Sequence, residues 1–160
     1  MTTQLHDIGE QFERSVLSGE TALPASVEVA LFHDGERSGD TTSGDDLVAG
    51  DDLGAITTEP DGGSYSRQTV SLDGTTSWTI QQDANEDYEM VVDATLSFDL
   101  SDSSNPSQLD AYAVIVNWDA GGGVAPNLWW TDTFDEAKGI SLDQLDLDGV
   151  ALAVSGQNAP

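Results

Sequence analysis

Carboxylates dominate the chemistry open to this chain. Thirty Asp and Glu stand against four Lys and Arg, with two histidines and no cysteine. The missing thiols remove disulfides, thiolate metal sites and a cysteine nucleophile. His6 stands beside Asp7, and His33 beside Asp34. A Ser-His-Asp hydrolase of the nucleophile-elbow type needs Gly-x-Ser-x-Gly, and the sequence holds none. Two surface histidines are therefore expected. Glycoside hydrolysis asks only for two carboxylates, a criterion that thirty acids meet without picking out a pair. The triglycine Gly121–Gly123 lacks the Lys and Ser/Thr of a phosphate loop and reads as a hairpin connection.

Oxygen donors cluster twice. Asp99, Asp102 and Asn105 fall in one turn, and Asp143, Asp146 and Asp148 precede Gly149. Calcium and magnesium take such donors, so a structural Ca²⁺ or Mg²⁺ at the first cluster is one expectation and a solvated acidic turn the other. Neither run has EF-hand spacing. No other cofactor is expected.

The formal charge of −26 on 160 residues bounds the partners. In dilute buffer it repels itself and weakens a compact state. At 1 M salt the Debye length is about 3 Å and the repulsion is mostly screened, which points to a protein of hypersaline surroundings. No basic patch exists to neutralise phosphates, so nucleic acid is not an expected partner. An anionic membrane surface is excluded by the same argument. No apolar run approaches the roughly 20 residues of a membrane span, and Met1–Glu10 carries no basic, then apolar, signal pattern. High charge with low hydrophobicity marks disorder. Here the acids alternate with apolar runs (Val27–Phe32, Met90–Phe98, Ala111–Trp118, Val150–Val154), so a folded core is expected.

These groups need elements to position them. Leu5, Ile8, Phe12 and Val16 recur at spacings of three and four, which predicts a helix over 4–18 ended by Gly19. Val27, Val29 and Leu31 alternate, which predicts a strand over 27–33. Residues 34–63 are rich in Gly, Asp, Ser and Thr and read as a long acidic loop. Within it Gly44-Asp-Asp-Leu-Val-Ala is followed by Gly50-Asp-Asp-Leu-Gly-Ala. A loop of this length is uncommon in a compact domain unless it binds something or moves. Further strands are expected between turn signals across 64–155, with a helical turn at Asp135–Lys138 ended by Gly139. The whole chain, 1–160, is expected as a single mainly β domain: a jelly-roll-like antiparallel sandwich of about seven strands with one N-terminal α-helix.

Trp129-Trp130 sits on one of those strands, where neighbouring side chains point to opposite faces. One Trp then enters the core. The other is either an exposed interface or sugar-stacking residue, or is covered by the N-terminal helix. The helix stripe is narrow and must dock on its own sheet or on another subunit. Leu5, Ile8, Phe12, Trp129 and Trp130 are the interface candidates.

The segments, in this order, resemble a family of small structural proteins from tailed bacterial and archaeal viruses. A short helix leads to the apolar strand Val27–His33, then to the acidic loop Asp34–Asp61. The element Gly62-Gly63-Ser64-Tyr65-Ser66-Arg67 follows, and later Ala111–Gly123 with Asn127–Thr131. The resemblance implies a virion part: head decoration, turret, tail fibre or minor tail component. Its partners would be copies of itself and virion proteins such as the major capsid protein. The expected role is a non-enzymatic capsid decoration or turret subunit on the outer surface of a haloarchaeal tailed virus. The alternatives are a tail, baseplate or fibre component contacting the host, a halophilic glycoside hydrolase, and a cellular binding domain. Arg67, one of four cations, is expected to pair with a carboxylate and hold the end of the long loop, with Tyr65 on the same face of the strand.

Overall fold

The computed structural model describes residues 4–35, 44–72, 78–82, 88–140 and 143–153. In chain order the elements are β1 (Gln4–Leu5), α1 (Asp7–Leu17), β2 (Ser26–Phe32), a 3-10 turn (Leu53–Ala55), β3 (Gln68–Ser71), β4 (Trp78–Gln82), β5 (Tyr88–Val92), β6 (Leu96–Asp99), β7 (Gln108–Asp119), β8 (Val124–Gly139), β9 (Gln144–Leu147) and β10 (Ala151–Ala153). The chain is mainly β with one N-terminal helix, and its strands pair antiparallel. No helix among the described residues is long and apolar enough to cross a membrane.

The strand count reaches ten because β1 and β9 are added and the expected strand over 88–100 is divided, and pairing also lengthens β8. Gln4 and Leu5 pair with Thr131 and Trp130, so α1 begins at Asp7 and Leu5 leaves the predicted helix. Asp135–Lys138 is strand rather than a helical turn: Gln108 and Leu109 of β7 pair with Gly139 and Lys138, and such pairing outweighs the weak helix propensity of a short segment. The stretch 88–100 divides into β5 and β6, which join different sheets.

Five strands form the main sheet in the order β1-β8-β7-β2-β3. One face carries Val27, Val29, Leu31, Val114 and Val116. These pack in one cluster with Phe12 of α1, Val92 of β5, Phe98 of β6 and Leu145 of β9. The smaller sheets, β10-β5-β4 and β6-β9, thus form the second layer of a sandwich. Each such side chain, fully buried, contributes about 1.5–3 kcal/mol.

The opposite face of the main sheet is also apolar, with Ala30, Phe32, Ala111, Ala113, Ile115 and Leu128 buried. Its cover is the long loop. Leu47 is buried there, with Leu53, Ala55 and Ile56 packed against the same cluster. The sequence duplication gains a purpose: the fourth residue of each copy, Leu47 and Leu53, docks on that face. The cover is pinned by Asp45, whose carboxylate accepts hydrogen bonds from Thr57 N–H (3.0 Å), Thr58 N–H (3.1 Å) and both threonine hydroxyls (2.7 and 2.6 Å).

A β-bulge resolves the tryptophan pair. Val114 pairs with Trp130 and Ile115 with Leu128, leaving Trp129 as an extra residue. Both indoles therefore enter one cluster, at 8% and 2% exposure. Helix α1 lies over Trp129: Phe12 meets it edge-on, with ring centroids 5.0 Å apart, and Glu13 accepts the indole N–H at 2.9 Å. The approach requires glycine at position 9, where a Cβ would stand 2.4 Å from the Trp129 carbonyl oxygen. Gly9→Ala should cost about 1–3 kcal/mol, because the obstructing atom is backbone and cannot turn aside. Gly54→Ala, which meets open space, should stay within about 0.5 kcal/mol. Thermal unfolding at fixed molar salt checks both, and equal stabilities would refute the helix docking.

Candidate functional site

Two regions concentrate unusual residues: a polar latch at the end of the long loop, and an apolar groove beside α1.

The latch is built from the Gly62–Arg67 element. Arg67 donates from Nε and Nη2 to the two oxygens of Glu59, at 2.9 and 2.8 Å. This is the carboxylate pairing expected of so scarce a cation, and Glu59 and Glu28 both help to raise the guanidinium pKa. Tyr65 accepts the Leu31 N–H of β2 at 3.0 Å and donates to Glu59 at 3.2 Å. Burial, then the Glu59 charge, raises its phenol pKa well above the ordinary value. Gly62 has φ +97, and a Cβ there would stand 2.5 Å from an Asp102 oxygen.

The predicted metal-ligand set lies in this latch, where its members make hydrogen bonds within the chain. Asp102 accepts Gly63 N–H (2.8 Å) and Ser64 N–H (3.0 Å). Asp99 accepts Ser101 N–H at 2.9 Å. Asn105 donates from its backbone and side-chain nitrogens to Asp61, at 2.8 and 3.1 Å. N–H donors aimed at these oxygens compete with a cation for the same lone pairs. Among the described residues no three His, Asp or Glu gather as metal ligands. The second acidic run is spent similarly: Asp146 accepts from Gln144 and Asp148 from Thr95.

The histidines are buried, against expectation. His33 is nearly enclosed, with Nδ1 3.3 Å from Asp110 Oδ2. The other Asp110 oxygen accepts Asp34 N–H at 2.6 Å. His33 borders a 400 Å³ hollow shared with Thr57, Thr58, Glu59, Asp61 and Ser107. This resembles two members of a hydrolytic triad, but among the described residues no hydroxyl hydrogen-bonds to the ring. His6 is fully buried, and its Nε2 lies 3.0 Å from Thr131 Oγ1. A larger hollow of 520 Å³ is lined by Asp132, Glu136, Asp146 and Asp148 beside Lys138.

The groove, of about 430 Å³, runs between α1 and the edge of the smaller sheet. Phe12, Trp129 and Met90 line it, with Val16, Leu17, Leu23, Leu72, Trp78 and Ile80. Its one ionisable residue, Glu13, is held by Trp129. Leu17, Leu23 and Ile80 are 80%, 56% and 70% exposed. Of the predicted interface residues, Phe12 and Trp129 reach this groove as buried wall. Trp130 is buried in the chain's own core, and Leu5 and Ile8, partly buried, pack against it. The sequence argument missed Leu23, Trp78 and Ile80. Their available signal was the absence of any charged residue across Trp78–Gln82.

No protein-family model, curated protein or solved structure matches this chain.

The latches and His6 set the response to acid. Ser104 N–H, then Asn105 N–H, hold Asp61 below the usual carboxylate range, and Ser64 and Gly63 do the same for Asp102. Stability from these groups is complete above the unfolded pKa of about 3.9 and is lost as pH falls through the depressed folded values. Burial lowers the His6 pKa from 6.5. The unfolded chain therefore binds a proton that the folded chain refuses, and stability falls once pH drops below about 6.5. Melting temperature at fixed molar salt should decline in two steps on acidification. His6→Asn should remove the upper step and Asp61→Asn reduce the lower. A flat wild-type profile from about pH 7 to 5 would contradict the first step.

Proposed function

We propose that this chain is a salt-adapted assembly subunit, a non-enzymatic virion surface protein that acts by burying an apolar face against its neighbours. One observation carries the proposal: a chain of charge −26 presents an open groove of nine apolar side chains around one satisfied carboxylate. Exposed apolar patches on acidic surfaces mark interaction sites. Contact there buries apolar side chains, which yields about 25 cal/mol per Å². The remaining acidic surface keeps the particle soluble in brine.

The resemblance of Gly62–Arg67 and Ala111–Gly123 to virion structural proteins supports the outer shell as the place, with decoration or turret as the role. In this chain the Gly-Gly-x-Tyr-x-Arg element serves folding: Tyr65 ties it to β2, Gly63 and Ser64 tie it to the turn at 100–107, and Arg67 ties it to Glu59 of the long loop. The resemblance therefore supports a shared architecture more than a shared binding site.

Quantitative mass spectrometry of virus particles purified from brine tests this reading. The chain should be present in fixed ratio to the major shell protein, at tens to hundreds of copies per particle for a decoration subunit. A handful of copies would move it to the tail. Complete absence from particles would overturn the virion role.

A further inference from the structure

The groove has a second component that identifies its occupant. Strand β4 forms one end of the sheet β10-β5-β4, and among the described residues no strand pairs with its other edge. The opposite end of this sheet is closed, because the Tyr112 hydroxyl donates to the Ala151 carbonyl (3.1 Å) and accepts the Ala151 N–H (3.0 Å). The outer edge of β3 lies near the same region, and its Ser71 carbonyl accepts the Trp78 indole N–H at 3.1 Å. Among the described residues β4 is thus an open edge of this three-stranded sheet.

Exposed edges are ordinarily guarded by charge, proline or a bulge, because an unguarded edge pairs with another chain. β4 reads Trp-Thr-Ile-Gln-Gln and has none of these guards. Its pairing with β5 is regular from Trp78↔Val92 to Gln82↔Tyr88. Two described acids beside it are engaged: Gln81 Nε2 donates to Glu89 and Thr79 Oγ1 to Asp93, each at 2.8 Å. An uncharged edge and the apolar lip of Leu17, Leu23 and Ile80 therefore form one continuous strip on a strongly anionic chain.

An occupant must bring an uncharged free edge and apolar side chains, and must not oppose its own charge to this chain's acids. A second copy supplies both at the same strip. Two copies related by a two-fold axis pair antiparallel, and the contact then closes on itself rather than propagating. We propose that β4 and the lip of the groove form a two-fold interface with a second copy, paired antiparallel about Ile80 and promoted by molar salt. The proposal rests on the assembly reading above and names the partner of that groove. Centring on Ile80 sets Ile80 against its own equivalent, Thr79 against Gln81 and Trp78 against Gln82. The two small sheets become one. Salt promotes the contact in two ways: it screens the repulsion between two −26 chains, and excluded salts strengthen apolar burial.

The chain has no cysteine, so single-cysteine variants report the contact without background. Directly opposed residues of an antiparallel pair have Cα atoms about 4.5–5.5 Å apart, within the span a disulfide bridges. Under mild oxidation in molar NaCl, Ile80→Cys should form covalent dimers about tenfold faster than Val124→Cys, which sits at the exposed start of β8. Thr79→Cys should link to Gln81→Cys in a mixture faster than to itself, a readout that holds even if Ile80→Cys folds poorly. In sedimentation, the wild type should be dimeric in molar salt and monomeric in dilute buffer, and Ile80→Glu should be monomeric in both with an unchanged circular dichroism spectrum. A wild type that stays monomeric in molar salt, or a dimer that links through Val124 and not through β4, overturns the proposal. Particle copy number is independent of these results. A chain bound to particles as a monomer would remove this interface and leave the virion role standing, whereas a β4 dimer absent from particles would do the reverse.

Discussion

The main sheet is buried on both faces, and most of the structure follows from that constraint. From Leu109 to Val116 every residue of β7 is buried. A two-sided apolar sheet in a chain of charge −26 needs two covers that carry their acids outward. One cover is conventional, a second layer of strands with α1. The other is a loop, which has few apolar residues and must be held by polar contacts. Asp45 gathers Thr57 and Thr58, Thr58 Oγ1 accepts the His33 N–H at 3.0 Å, and His33 faces Asp110. These buried polar groups at the end of β2 are costly alone and become acceptable through mutual hydrogen bonding. The His and Asp concentrated there attach the loop to the sheet.

The same logic explains why some features were legible in the sequence and others were not. Alternation in Val27–Leu31 and the helical spacing of Ile8, Phe12 and Val16 reflect burial of one face, so strand and helix could be read directly. Arg67 was legible because one of only four cations among thirty acids must find one of them. The loop's role was hidden, since composition rich in Gly, Asp and Ser describes its outer side while Leu47 and Leu53 do the packing. The cover that α1 gives Trp129 was among the readings of the sequence, but a strict period of two put Trp129 and Trp130 on opposite faces, and a bulge breaks that period. Glu136-Ala-Lys favours helix locally, but β7 offered a partner. Asp99, Asp102 and Asn105 look like ligands in sequence because one-dimensional spacing cannot show that backbone N–H groups from 63, 64 and 101 point at the two acids while Asn105 turns its own donors to Asp61.

Charge and assembly are linked through the same economy of surface. With acids spread over the exterior, a like-charged neighbour is tolerated only where they are missing or satisfied. Glu13, Glu89 and Asp93 are each hydrogen-bonded around the groove, and β4 itself carries no charge. Association through it grows with salt, unlike association through ion pairs, which salt weakens. A subunit built this way is suited to brine and is expected to release its neighbours when diluted.

The measurement closest to this account is amide hydrogen exchange in molar salt at two protein concentrations. It reads each strand in the intact, unmodified chain. The account predicts that exchange across Trp78–Gln82 slows as concentration rises, while β2 and β7, already protected within the main sheet, stay unchanged. Exchange in β4 that ignores concentration, or concentration-dependent protection confined to another surface, would contradict it.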